Sequence, residues 1–310
     1  MIRILPPVVL FVFNRLDKVE RCLSALHRQT VRPQKLIIFS DAARNKEEEL
    51  AVQTVRDLVR MIDWAETNII ERPSNLGCAR NIALGLTEVF KSHERAVIIE
   101  DDILPGNHFY ESMSILLSEY ADQKKIFSVG GFPSLKKGAL SRYPHDVIFS
   151  PRFSCWGWGT WADRWQEVAD KIIPFVNPYG TWEMVPLDVG RDLREGAQIL
   201  EHQPLYSWAY PVSIWCMHRE LVHAHSRHYL VSNIGTDGTG QNAFGTAYSR
   251  YMSKHVIIQD CVPERTPPYE KTDLNVRQAV RIYIEGSFSV GGARLKGGIV
   301  RLLRKLGLRS

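Results

Sequence analysis

The chain has 310 residues, 45% of them hydrophobic and 24% charged, which excludes a disordered, collagen-like or small disulfide-stapled protein and leaves room for one or two domains with a sizeable core. Its net charge of +5 is unevenly placed. Residues Gly286 to Ser310 hold six basic residues and no acid, so the preceding 285 sum to 5 − 6 = −1, and basic charge confined to a tail does not favour nucleic acid. Five cysteines, odd in number and without a C-x-x-C pair, fit neither a disulfide framework nor a zinc site, so a reducing cytosol is expected. The apolar run Val8 to Phe13 is too short for a membrane span or a signal peptide's core.

In chain order, short apolar runs of buried-strand character (Val8 to Phe13, Lys35 to Ser40, Thr67 to Glu71, Ala96 to Ile99) alternate with amphipathic stretches of helical length. The helical stretches are Leu16 to Gln29, Glu47 to Ile62, with Leu50, Val55, Leu58, Val59 and Ile62 on one stripe, and Cys78 to Phe90. That alternation predicts an α/β fold with a mostly parallel central sheet flanked by helices and a ligand at the carboxyl ends of its strands. Further on come strands at Ile126 to Val129 and Val147 to Ser150, and the segment CWGWGTW from Cys155 to Trp161, which reads either as a wall for a flat ligand or as core. Residues 174–192 are rich in Pro and Gly and read as a variable excursion. Residues 229–245 read as a strand entering a glycine-rich loop.

The strand ends carry the chemistry. Glu100, Asp101 and Asp102 follow the fourth strand directly, and three adjacent acids at the edge of an apolar sheet are costly unless a cation neutralises them. Carboxylate oxygens suit Mn²⁺ or Mg²⁺, which complete their shell with water and substrate phosphates. This reading requires that the acids are not neutralised by the protein's own lysines and arginines. Arg15 after the first strand suits a phosphate, and Asp41 after the second suits a base or ribose. Asn75 and Gly77 form a turn into a helix that carries Arg80 in its first turn, an arrangement suited to an anion. The glycine fingerprints of dinucleotide dehydrogenases, P-loop NTPases and α/β-hydrolases are absent. A sugar nucleotidyltransferase would want a glycine-rich basic loop where FNRLDK stands. No H-E-x-x-H is present, and His218, His223, His225 and His228 cluster in a stretch that reads as amphipathic.

The series VVLFVFNR, LIIFSDAA, NLGCARNIALG, AVIIEDDILPGNHFY, FSCWGWGTW and VSNIGTDGTG, over roughly residues 6–245, resembles the GT-A glycosyltransferases, in particular bacterial sugar-transferase relatives of N-acetylglucosaminyltransferase I. The resemblance implies a nucleotide-diphosphate sugar as donor, Mn²⁺ or Mg²⁺, and inverting transfer to a hydroxyl in surface polysaccharide or glycolipid assembly. It implies Asp102 as metal ligand and Glu100 and Asp101 at the donor sugar and ribose. Asp41 would face the nucleobase, Arg15 the diphosphate, and Phe13 and Asn14 would form the base and ribose wall. Trp156, Gly157 and Trp158 would form the donor-sugar and acceptor floor, with Asp237 in the later glycine-rich loop. The family's basic acid, expected within Leu205 to Tyr210, is replaced by Tyr206 and Ser207, and its frequent histidine by Asn242. Glu201, Asp188 and His202 are therefore the candidate bases. The implied organisation is a transferase domain over 1–260, with a donor half to about 130, and a C-terminal extension over 261–310. Within that extension, residues 295–308 form a basic amphipathic segment suited to an anionic membrane surface. The acceptor implied is a glycan or lipid-linked saccharide. The site implied is cytoplasmic, peripheral to the inner face of the membrane.

Overall fold

The computed structural model describes residues 5–172, 191–202, 207–235, 251, 254–259, 261–271 and 273–286. Four parallel strands open the chain: β1 (Val8–Val12), β2 (Lys35–Ser40), β3 (Glu66–Glu71) and β4 (Arg95–Glu100). They are joined by α1 (Leu16–His27), a short 3₁₀ turn with α2 (Glu49–Arg60), and α3 (Cys78–Val89). Next come β5 (Ile103–Pro105), α4 (Phe109–Glu119), β6 (Ile126–Gly130), β7 (Val147–Ser150) and β8 (Trp158–Trp161). The described chain then continues through α5 (Ala162–Ile172), α6 (Arg191–His202), α7 (Ala209–His218), β9 (Val222–Ser226) and β10 (Val231–Asn233).

Eight strands form one sheet in the order β3-β2-β1-β4-β8-β6-β9-β7. Its strands are mostly parallel, with β8 and β7 running against the rest. The central strands are apolar throughout because both faces are covered. Val8, Leu10, Val12, Leu36, Ile38, Val97 and Ile99 pack with α1, α2 and α4 on one face. Val9, Phe11, Ile37, Phe39, Ala96 and Ile98 pack with α3, α5 and α7 on the other. Helices α1 and α2 thus lie on the face opposite α3, and the chain reverses direction across the sheet between β1 and β4. In open α/β sheets the crevice outside the carboxyl ends of the strands at such a reversal is where ligands bind.

Two readings of the sequence change here. Leu50, placed on the apolar stripe of α2, is 78% exposed, because the helix turns that position to solvent. The histidine-rich stretch forms β9, where His223 and His225 are buried in the sheet. The described part of the C-terminal extension shares the main core: Tyr283 packs in its larger cluster, and Val276 and Val280 pack against Leu135 and Ile148. No described helix is long and apolar enough to cross a membrane. The excursion expected over 174–192 and the amphipathic tail over 295–308 lie outside the described residues, apart from Arg191 and Asp192 at the start of α6.

Candidate functional site

At the reversal point, β1 delivers Phe13, Asn14 and Arg15, and β4 delivers Glu100, Asp101 and Asp102. Parallel pairing of Phe11 with Glu100 brings the two strand ends level. The Asp101 amide donates to Phe11 O at 3.1 Å, which carries the β4 chain across the end of β1. Arg15 Nη2 forms a short charged hydrogen bond with Asp101 Oδ1 and lies 3.1 Å from Asp102 Oδ2. The side chains of Asp101, Asp102 and Arg15 are 5%, 18% and 23% exposed, so these charges interact where water screens them weakly.

Arg15, expected to meet a phosphate, thus sits on the acids themselves. Its neutralisation of them is partial, since one guanidinium meets the two carboxylates of Asp101 and Asp102. Burial, with the repulsion of Asp102 and Asp101, pushes the Glu100 carboxyl up to about 8. Burial raises Asp101 to about 6 against the opposing pull of Arg15. The second oxygen of Asp101 is buried without a hydrogen-bond partner. Cys78 Sγ at the start of α3 lies 4.0 Å from Glu100 Oε2, and Cys22 Sγ lies 4.0 Å from the Glu100 carbonyl.

The acid turn is held from its far side by β10, which pairs antiparallel with β5 through Ile103 and Asn233. The Ile234 amide continues the ribbon by donating to Asp102 O at 2.8 Å.

Asp41 has a different place from the one expected. It is 4% exposed, and its carboxylate accepts from the amides of Ala42, Leu76 and Gly77, each at 2.9 Å, and from Asn75 Nδ2 at 3.2 Å. Four donors fill the acceptor capacity of one carboxylate. Asp41 therefore clasps the turn that launches α3 and offers no free acceptor to a base. Asn75 completes the clasp by donating to Ala42 O at 2.6 Å. Gly77 caps α3 at φ +76°, a left-handed backbone that glycine adopts without strain. Arg80 is exposed in the first turn of α3.

Phe13 is half-buried, with the Arg44 guanidinium 5.4 Å from its ring centre, and Arg44 is paired with Glu48. Asn14 Nδ2 lies 3.4 Å from Glu48 Oε1. The sequence reading missed Arg44 and Glu48, because their relation to the end of β1 depends on how α2 begins.

The tryptophan segment divides. Trp156 is half-buried and packs edge-on against Phe132. Gly157 turns at φ +63° with Val231 and Phe109 closely packed against it. Trp158 is fully buried, stacked on Trp208 and edge-on to Phe153, so it belongs to the core and not to a ligand-facing floor. Among the candidate bases, Glu201 and His202 end α6, with their side chains outside what is described, and Asp188 lies outside the described residues; so do Asp237 and Asn242 of the glycine-rich loop. Ser207, standing where an acid was sought, accepts from the Ala209 amide at 3.2 Å.

The acid cluster suits a divalent cation in donor type and charge. Its oxygens are hard donors, one of them is buried and unpartnered, and the carboxylates outnumber the single guanidinium. Among the described residues no three His, Cys, Asp or Glu side chains form a ready-made metal cage. Such an ion would therefore be held by Asp102, with or without a second carboxylate, and would have coordination positions left for ligand oxygens.

No protein-family model matches the sequence, and no curated protein sequence matches it. Among solved structures, the chain is similar to the mannosyltransferase PcManGT from Pyrobaculum calidifontis in complex with GDP-Man and Mn²⁺. That alignment has 12% identity, covers 95% of this chain and 74% of that one, and has a TM-score of 0.44. It is also similar to S. aureus TarS, at 10% identity over 76% of this chain and 37% of that one, with a TM-score of 0.40. A fragment of TarS in complex with UDP aligns at 12% identity over 48% of this chain and 36% of that one, with a TM-score of 0.29. At this distance the likenesses carry no functional argument. What fold and site define is an α/β protein with a carboxylate cluster at the reversal point of its sheet.

Proposed function

We propose that the chain is a metal-dependent glycosyltransferase that moves a sugar from a nucleotide-diphosphate donor to a hydroxyl acceptor with inversion. The carrying observation is the position of Glu100, Asp101 and Asp102 at the carboxyl end of β4, level with the end of β1, with Arg15 between the two strand ends.

Mn²⁺ or Mg²⁺ held there would supply positive charge to the leaving diphosphate. The chain's own residues do the rest. Burial and its acidic neighbours raise the Glu100 carboxyl to about 8 in the metal-free chain, and a bound cation would oppose that rise, leaving a carboxylate that accepts from a donor hydroxyl. Asp101 is fixed by Arg15 and carries negative charge to the rim. The first turn of α3 begins beside the same edge, with Cys78 Sγ 4.0 Å from Glu100 Oε2, and its amides beyond the two spent on Asp41 would favour an anion. Phe13 offers an aromatic face to a nucleobase, and Arg44 already lies over that ring.

Inverting transfer is a single in-line displacement in which a base takes the acceptor proton. Glu201, Asp188 and His202 are the proposed candidates for that base. The acceptor proposed is a glycan or lipid-linked saccharide, met at the cytoplasmic face of a membrane that residues 295–308 would contact. Ser207 at the position sought for an acid favours a second reading, a nucleotide-sugar- or glycan-binding relative without transfer activity.

Turnover separates the two. A panel of uridine, guanosine and cytidine diphosphate sugars, with Mn²⁺ or with chelator, should show metal-dependent donor hydrolysis or transfer for at least one sugar. Binding without any turnover would favour the second reading, and neither binding nor turnover would overturn both.

A further inference from the structure

Gly235 follows β10 and lies against the acid turn. A Cβ placed on it would stand 2.2 Å from Asp102 Oδ2, 2.8 Å from Asp102 Cγ and 2.9 Å from Asp102 Cβ, and these are the three nearest atoms. The glycine is not there for its backbone, which lies outside the left-handed region. Because the obstruction includes Asp102 Cβ, the aspartate cannot make room by rotating its carboxylate alone. Asp102 Oδ2, the atom such a Cβ would meet first, is also the atom 3.1 Å from Arg15 Nη2. The Ile234 amide fixes the Asp102 carbonyl from the same segment.

We propose that Gly235 is a positioning residue for Asp102: its bare Cα leaves the space in which that carboxylate stands facing Arg15, so β10 sets the geometry of the cation-binding acid. The consequence for metal binding rests on the function proposed above. The contact itself does not.

The test uses the full chain in four forms: wild type, G235A, D102G and the double variant. Stability is read by urea denaturation and Mn²⁺ affinity by the loss of the free-ion paramagnetic resonance signal. G235A is expected to be destabilised and to bind Mn²⁺ at least tenfold more weakly than wild type. In the D102G background, where the obstructing side chain is gone, the same substitution is expected to leave stability unchanged, a coupling that a double-mutant cycle isolates. Should G235A alone fail to fold, recovery of folding in the double variant supports the proposal. An equal loss of stability in both backgrounds overturns it, and so does wild-type Mn²⁺ affinity in G235A. A wild-type chain that binds no Mn²⁺ sinks the metal reading instead, and the stability cycle still decides whether Gly235 positions Asp102.

Discussion

Arg15 and Asp102 meet at 3.1 Å across the ends of β1 and β4, with Asp101 as the second partner of the same guanidinium nitrogen. The protein thus carries a built-in cation against an acid cluster that would otherwise repel itself. Removing it leaves Asp101, 5% exposed, without its charge partner. Arg15→Ala is expected to cost about 3 kcal/mol, at the lower end for a broken buried pair because Asp101 can take up a proton near neutral pH. Mn²⁺ is expected to restore part of that loss, since it can stand in for the missing charge. Urea denaturation with and without Mn²⁺ checks this, and a variant as stable as wild type would show the pair to be idle.

The acid cluster also sets a pH dependence. Glu100 rises from 4.5 to about 8 and Asp101 from 3.8 to about 6 on folding, so the folded chain holds protons that the unfolded chain releases. Stability from these groups is fully present below their unfolded values and is lost as pH rises through the folded ones. Thermal midpoints are expected to fall between pH 6.5 and 8.5, with a ceiling near 1.4 kcal/mol per pH unit for one proton. Glu100→Gln is expected to flatten that limb, and an unchanged slope would remove Glu100 as its source.

The buried histidines act with the opposite sign. His225 is depressed from 6.5 to about 4 by burial, and His223 is pushed well below 6.5 by burial, aided by His225 and Arg152. Both stay neutral when folded, so the unfolded chain binds more protons below pH 6.5 and stability is lost as pH falls from there toward 4. The Glu100→Gln variant exposes this limb, because two histidine protons outweigh the one that Asp101 still holds below about pH 6 with the opposite sign. Its midpoint should drop monotonically from pH 6.5 to 4.5, and a rise over that range would contradict the burial of both rings.

How much of this was legible in the chain varies by element. Strands β1, β2 and β4 announce themselves because a strand covered on both faces must be apolar along its whole length, edge strand β3 shows only its Ile69–Ile70 pair, and each of α1 to α3 shows a stripe. Leu50 shows the limit, since apolar spacing on α2 does not say where the stripe ends. The ribbon of β5 and β10 is three residues a side and has no periodicity to read. The antiparallel insertion of β8 beside β4 was likewise hidden, and with it which of the two readings, wall or core, applies to Trp158.

The site was legible as positions more than as roles. Acids after β4 and Arg15 after β1 follow from strand ends alone. That Asp41 spends its carboxylate on Leu76 and Gly77, and that Asp102 stands where a Cβ at position 235 would be, depend on the approach of distant segments that no local pattern encodes.

The Asp41 clasp is itself testable. Asp41→Asn puts an amide where four donors converge, and leaving one buried amide unsatisfied costs about 1–3 kcal/mol. Hydrogen exchange at Leu76 and Gly77 should accelerate with the loss of stability. Exchange protection equal to wild type would mean that the turn holds without the carboxylate.

The most direct measurement is ligand-induced thermal stabilisation of wild type and Asp102→Asn across nucleoside diphosphates and their sugars, with and without Mn²⁺, since a ligand that binds only the folded state raises its apparent stability. A metal-dependent rise in wild type that is lost in the variant is the predicted result. An equal, equally Mn²⁺-dependent rise in both proteins, or no rise in wild type with any nucleotide, would contradict a diphosphate held through Asp102.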